Sequence, residues 1–195
     1  MKRLRNLVNP FNINPEVKID LKQVFAREQP LVLDIGFGKG DFLIQMAEKF
    51  PKKNSIGLEI RFQFVDRVNK IIEEKGLKNC LAVLANANFR LKEMFLPDSI
   101  SEIYILFPDP WMKKRHHKRR VVSDQLIKDM HYICQNKAEV HIKTDEKFMF
   151  DDICEKFAAA QLFKKTRDLE LPCLTNREEK YIKWCKPIYQ ATYIK

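Results

Sequence analysis

Short apolar runs, many of them β-branched, alternate along this chain with longer amphipathic stretches, and few folds accept that alternation. PLVLDI (30–35), NSIGLEI (54–60), CLAVLAN (80–86), EIYILF (102–107) and AEVHIKT (138–144) read as strands. GDFLIQMAEKF (40–50), FQFVDRVNKIIEEKG (62–76), SDQLIKDMHYICQN (123–136) and EKFMFDDICEKFAAA (146–160) carry apolar residues at helical spacing, the first stopped by Pro51 and the second by Gly76. FKKTRDLEL (163–171) and KPIYQATYIK (186–195) alternate polar and apolar, as half-buried antiparallel strands do. Strand-then-helix units followed by two strands with no helix between them predict an α/β fold. It is a doubly wound, mostly parallel seven-stranded sheet with an antiparallel edge. At 195 residues this is one domain over 30–195, with residues 1–29 as an N-terminal arm.

The first strand runs into Asp34-Ile35-Gly36-Phe37-Gly38-Lys39-Gly40-Asp41. Glycines at alternate positions let the backbone turn sharply and leave its N–H groups uncovered at a helix N-terminus. A dinucleotide fingerprint needs glycine at position 41, where this chain has Asp, and an anion there repels a pyrophosphate. The spacing instead resembles the first motif of class I S-adenosylmethionine-dependent methyltransferases. Glu59 ends the second strand, where a carboxylate can accept both hydroxyls of a ribose.

Phe107-Pro108-Asp109-Pro110-Trp111 closes the fourth strand. Each X-Pro step pushes the preceding residue toward extended geometry, so Phe107 and Asp109 are both expected there. A rigid acid at the carboxyl edge of such a sheet stands where these folds keep their ligands. Lys113-Lys114-Arg115-His116-His117-Lys118-Arg119-Arg120 follows within two residues and supplies six of the ten net positive charges. The excess is concentrated, which favours an anionic partner and suggests chemistry on a nucleic acid base.

Taken together, the glycine loop, FPDPW and KKRHHKRR resemble the bacterial tRNA (guanine-N7-)-methyltransferase family from about residue 30 to the end. The resemblance implies S-adenosylmethionine as cofactor, tRNA as partner, and 7-methylguanosine formed at the variable-loop guanine 46. It places Asp34, Gly36, Gly38, Gly40, Glu59, Asn86 and Asp109 against the cofactor, with Asp109 as the catalytic carboxylate. It places Lys113, Asp145 and the T-x-x-E element Thr175, Asn176, Arg177 and Glu178 on the substrate. Arg115, His116, His117, Lys118, Arg119 and Arg120 correspond to the RNA-contacting segment. Asp34 stands where the family usually has Glu, Asn86 where it has Asp, and Arg177 where an aromatic is usual.

Guanine N7 has an in-plane lone pair and no proton, so its methylation needs no general base. A carboxylate such as Asp109 would stabilise the positive charge that appears on the purine. A lysine facing N7 would oppose it, which puts Lys113 on a phosphate or on O6. Trp111 can stack on the base. Asp145, after the fifth strand, is either a second acceptor for the base or the N-cap of the helix that follows. The five cysteines include no C-x-x-C pair and no Cys/His ligand spacing, so neither a disulfide framework nor a metal site is expected. The N-terminal MKRLRNLVNPFNINP has no apolar core of a signal peptide, which predicts a cytoplasmic protein. The competing readings are a methyltransferase for another substrate, a nicotinamide-dependent oxidoreductase and a non-catalytic RNA-binding module. The glycine spacing argues against the oxidoreductase. The basic run argues against a small-molecule substrate, and the joint presence of cofactor loop and Asp-Pro turn against a bare binding module.

Overall fold

A computed structural model describes residues 24–110, 120–167 and 170–195. Seven strands form one sheet in the order β3-β2-β1-β4-β5-β7-β6. β1 (Leu31–Ile35), β2 (Asn54–Glu59), β3 (Cys80–Leu84), β4 (Ile100–Leu106) and β5 (Cys134–Thr144) are mutually parallel. β7 (Tyr189–Ile194) runs antiparallel between β5 and β6 (Lys164–Thr166). β1 and β2 are buried along their whole length, which is why neither shows the polar/apolar alternation of a half-exposed strand.

Helices cover both faces, and the parity of β1 assigns them. Leu31, Leu33 and Ile35 join a core with Leu91, Leu126, Met130, Ile153 and Phe157. That face carries α3 (Ala87–Met94), α4 (Asp124–Ile133) and α5 (Lys147–Ala160). Val32 points the other way, into a cluster with Phe42, Met46, Tyr104 and Phe107. α1 (Asp41–Lys49) and α2 (Phe62–Glu74) close that face, with Leu43 and Ile44 of α1 packed among Val65, Val68 and Ile72 of α2. Asp34 shares the parity of Val32 and is buried beneath the cofactor loop.

Three expectations change. The segment after β3 forms α3, a short helix capped by the Asn86 side chain, which accepts the Asn88 N–H at 3.1 Å. The strand expected over 163–171 is confined to Lys164–Thr166. The last two strands are separated by α6 (Asn176–Lys183), so their connection is not a bare loop. Thr175 caps α6 by accepting the Glu178 N–H at 3.0 Å. The T-x-x-E spacing is itself a helix-start pattern, and the charged surface of α6 hides it from an apolar-periodicity reading. Of the expected N-terminal arm, 1–23 lie outside the described residues; Phe25 is buried in the main core.

Candidate cofactor cleft and catalytic turn

The strand order reverses between β1 and β4, and the crevice above their carboxyl ends is the ligand position of this architecture. Gly36, Gly38 and Gly40 all have positive φ, at 82°, 59° and 83°. Two of them have different duties. A Cβ on Gly40 would fall 2.4 Å from Val68 Cγ2, so this glycine lets α1 seat against α2. A Cβ on Gly38 would meet nothing closer than Gly36 O at 3.9 Å and Arg61 Nη2 at 4.0 Å, so this position faces open cleft.

Glu59 is buried at the end of β2 and gathers donors from three sides. Its Oε2 accepts the Gly38 N–H at 3.1 Å, and its Oε1 accepts the N–H groups of Ile60 at 2.8 Å and Arg61 at 3.0 Å. The Arg61 guanidinium adds Nε to Oε1 and Nη2 to Oε2, both at 3.0 Å. Asp34 lies close enough to feel that charge. Burial, and then the negative Glu59, push its carboxyl up to about 8. Asn86 comes two residues after the neighbouring strand β3, just past the point where the Ala85 N–H donates to the Glu59 backbone carbonyl at 3.0 Å.

Phe107 carries the chain out of β4. Its N–H still donates to the Lys143 carbonyl at 2.8 Å, but its φ is +50° rather than the extended value expected before Pro108. Left-handed geometry in a non-glycine residue is strain of about 1–3 kcal/mol, held here by the burial of the Phe107 ring. The turn delivers Asp109 to the surface with its carboxylate in electrostatic reach of Arg61. Beyond it, the Arg120 side chain faces inward, donating to the Pro110 carbonyl at 3.3 Å and to Asp152 at 3.2 Å. The rest of the basic run, with Trp111, Lys113, Arg115, His116, His117, Lys118 and Arg119, lies outside the described residues.

The end of β5 meets α6 through two ion pairs. Arg177 Nη2 donates to Asp145 Oδ2 at 2.7 Å, and the Asp145 side chain is only 3% exposed. Burial alone would raise the Asp145 pKa, but hydrogen bonds from Tyr181 and Arg177 outweigh it and hold the carboxyl below its ordinary value. The helix that follows takes its cap from Glu146, whose N–H is received by Thr144 Oγ1, so Asp145 is not that cap. One residue before Thr144, the buried Lys143 ammonium pairs with the buried Glu178 carboxylate. The two rings nearest this corner, Phe107 and Tyr181, have centroids 6.5 Å apart with the Arg177 guanidinium near both.

Asp34, the glycine loop, Glu59 and Asn86 therefore lie along one sheet edge, with Asp109 next to them and Asp145, Thr175, Arg177 and Glu178 at the β5 corner. Three residues that sequence reading passed over complete the set: Arg61, Lys143 and Tyr181. Each left a trace. Arg61 is two residues past Glu59, on the same side of an extended segment, and Lys143 is an ionisable group inside an otherwise apolar strand, which calls for a buried partner. A carboxylate ending β2 beside the open face of Gly38 fits a nucleoside cofactor. Among the described residues no cluster of His, Cys, Asp and Glu is placed to hold a metal, and no helix is long and apolar enough to cross a membrane.

A doubly wound sheet with an antiparallel β7 between β5 and β6, a glycine loop after β1 and an acid ending β2 define a class I methyltransferase. Residues 28–191 match a family model described as putative methyltransferase. A protein of Synechococcus elongatus named tRNA (guanine-N(7)-)-methyltransferase is 38% identical over 99% of this chain and 96% of its own. One of the same name from Trichormus variabilis is 36% identical over 98% and 95%. The chain belongs to the tRNA (guanine-N(7)-)-methyltransferase family. In fold it is similar to the 16S rRNA methyltransferase KamB, with a TM-score of 0.69 at 16% identity over 93% of this chain and 94% of that one. The aminoglycoside resistance methyltransferase NpmB1 superposes with a TM-score of 0.64 at 14% identity over 91% and 93%.

Proposed function

We propose that this protein transfers a methyl group from S-adenosylmethionine to N7 of guanine 46 in the variable loop of tRNA. The observation that carries the reading is an exposed carboxylate, Asp109, on a strained turn one strand away from the Gly38–Glu59 cleft. Glu59 takes the ribose hydroxyls, Asp34 and Asn86 complete the cofactor side, and the glycine loop passes around the amino-acid and ribose portions.

When bound, S-adenosylmethionine supplies an electrophilic methyl on a positively charged sulfur. The chain's residues then have only to position the base and to stabilise charge. Asp109 stands where positive charge grows on the purine and can accept from guanine N1–H and its exocyclic amine. Asp145, already oriented by Arg177 and Tyr181, retains acceptor capacity for the same edge, since a carboxylate offers roughly four acceptor positions. Thr175, Asn176, Arg177 and Glu178 frame the base at the start of α6. Lys113 lies on a phosphate or on O6, and Arg115, His116, His117, Lys118 and Arg119 follow the RNA backbone. Arg120 anchors that segment through Asp152. The site of action is the cytoplasm.

Bulk tRNA incubated with the protein and methyl-labelled S-adenosylmethionine tests the reading. Nuclease digestion and chromatography should give labelled 7-methylguanosine, and a transcript with guanine 46 replaced by adenine should lose the label. Label in another nucleoside, or unchanged label in the substituted transcript, would overturn it.

A further inference from the structure

Glu59 has no room for a ligand as it stands. Its Oε1 receives three donors (Ile60 N–H, Arg61 N–H and Arg61 Nε) and its Oε2 receives two (Gly38 N–H and Arg61 Nη2). A carboxylate offers roughly four acceptor positions in all. Removing the Arg61 guanidinium takes one donor from each oxygen and leaves three backbone donors to hold the carboxylate in place. A vicinal diol brings two donors, one for each oxygen, and can replace those two one for one. The guanidinium is a planar fork with two donors, and it makes to Glu59 the two contacts that the two hydroxyls of a ribose would make.

We propose that Arg61 is a built-in competitor of the ribose and sets the affinity of the cofactor site. The cofactor enters by displacing the Arg61 fork from Glu59. A nucleoside lacking one hydroxyl displaces the fork at the same cost, so Arg61 weakens both ligands by the same factor. This rests on the reading that Glu59 receives the ribose.

The local structure allows the exchange. Arg61 is the N-cap residue of α2 and its carbonyl accepts the N–H groups of Phe64 and Val65, so its backbone is fixed. Its side chain is 52% exposed and lies over the glycine loop, with the guanidinium carbon 4.4 Å from the Phe64 ring centroid and Nη2 4.0 Å from the Cβ position of Gly38. A half-exposed ion pair of this kind is weak enough for a ligand to break. Burial tends to lower the Arg61 pKa, but the hydrogen bond and charge of Glu59, and then the charge of Asp109, outweigh it. Asp109 therefore offers the displaced cation a second carboxylate on the catalytic side of the cleft.

Isothermal titration with S-adenosylhomocysteine, which has the ribose but no sulfonium charge, tests the idea. Arg61→Ala should bind it about two- to fivefold more tightly than wild type, and Arg61→Lys, with one donor on a flexible stem, should fall between them. The gap should narrow as salt screens the half-exposed pair in the wild type. The 2′-deoxy analogue should tighten by the same factor in Arg61→Ala, because a competitor that both ligands displace cancels from the ratio of their affinities. As a measurement independent of affinity, the Nε–H resonance of Arg61 in 15N-labelled, ligand-free protein should be protected from water exchange and lose that protection on saturation with S-adenosylhomocysteine. Equal or weaker binding by Arg61→Ala, with its melting temperature preserved, overturns the inference. An Arg61 Nε–H that stays protected at saturation does so as well. Glu59→Ala separates this from the reading beneath it: if that variant binds S-adenosylhomocysteine as well as wild type, it is the ribose assignment of Glu59 that fails.

Discussion

Asp109 is positioned by the turn on either side of it. Phe107 takes a left-handed conformation directly before a proline, and Pro110 closes the turn, so the carboxylate has little backbone freedom. In the proposed reaction, charge in the right place is then its main contribution. Asp109→Asn should lose far more single-turnover rate than tRNA affinity. A rate within about threefold of wild type, a difference under ~1 kcal/mol, would remove Asp109 from the chemistry. Asp34 makes a different prediction. A folded-state pKa near 8 stands above the ordinary 3.8, so between these values the folded protein binds more protons than the unfolded chain. The stability this group contributes is fully present below about pH 3.8 and is lost as pH rises toward 8. Asp34→Asn should therefore raise the melting temperature of the ligand-free protein more at pH 8 than at pH 4, and an equal offset at both would refute the assignment.

Among the elements, α6 has the most depending on its start. Thr175 caps it, Glu178 sits in its first turn, and Lys143 reaches from β5 to neutralise that glutamate out of contact with water. Among the described residues, Glu178 Oε2 has no hydrogen-bond partner, so Lys143 is the group that makes the burial tolerable. Lys143→Met should cost about 3–5 kcal/mol in urea unfolding because it strands a buried charge, and Lys143→Met with Glu178→Leu should recover much of it. If the double variant is no more stable than the single one, the pair is not what is being broken. Thr175→Ala should cost about 1 kcal/mol through the lost cap. α6 also marks where reading the sequence stops working. The parallel strands and the long helices announced themselves through apolar periodicity, and the cofactor edge followed from Gly36, Gly38, Gly40 and Glu59. α3 has only eight residues, too few for its buried Ala87, Leu91 and Met94 to stand out as a stripe. The surface of α6 is charged, and its cap pattern T-x-x-E was the signal available. The left-handed Phe107 has no local signal at all, because the neighbours that enforce it come from β5 and α6.

At the scale of the molecule, a net charge of +10 has to be reconciled with an ordinary α/β core. Arg115, Lys118 and Arg119 are the cations that the proposed reading puts on RNA, whereas the Arg120 side chain is 10% exposed and pairs with Asp152. If those three neutralise phosphates, replacing them with Ser should flatten the log–log salt dependence of tRNA binding by about 2–3. Arg120→Ser should instead lower the melting temperature and leave the slope nearly unchanged. A slope that does not move in the triple variant would leave the charge excess without a partner. The Arg120 contact to Pro110 has a further consequence. It clasps together the two ends of the stretch 111–119, so the frame that holds Asp109 is closed independently of what lies between. Lengthening a loop with fixed ends costs only about 0.6 kcal/mol per doubling. Whatever length of chain runs from Pro110 to Arg120, the clasp leaves the turn that holds Asp109 as it is.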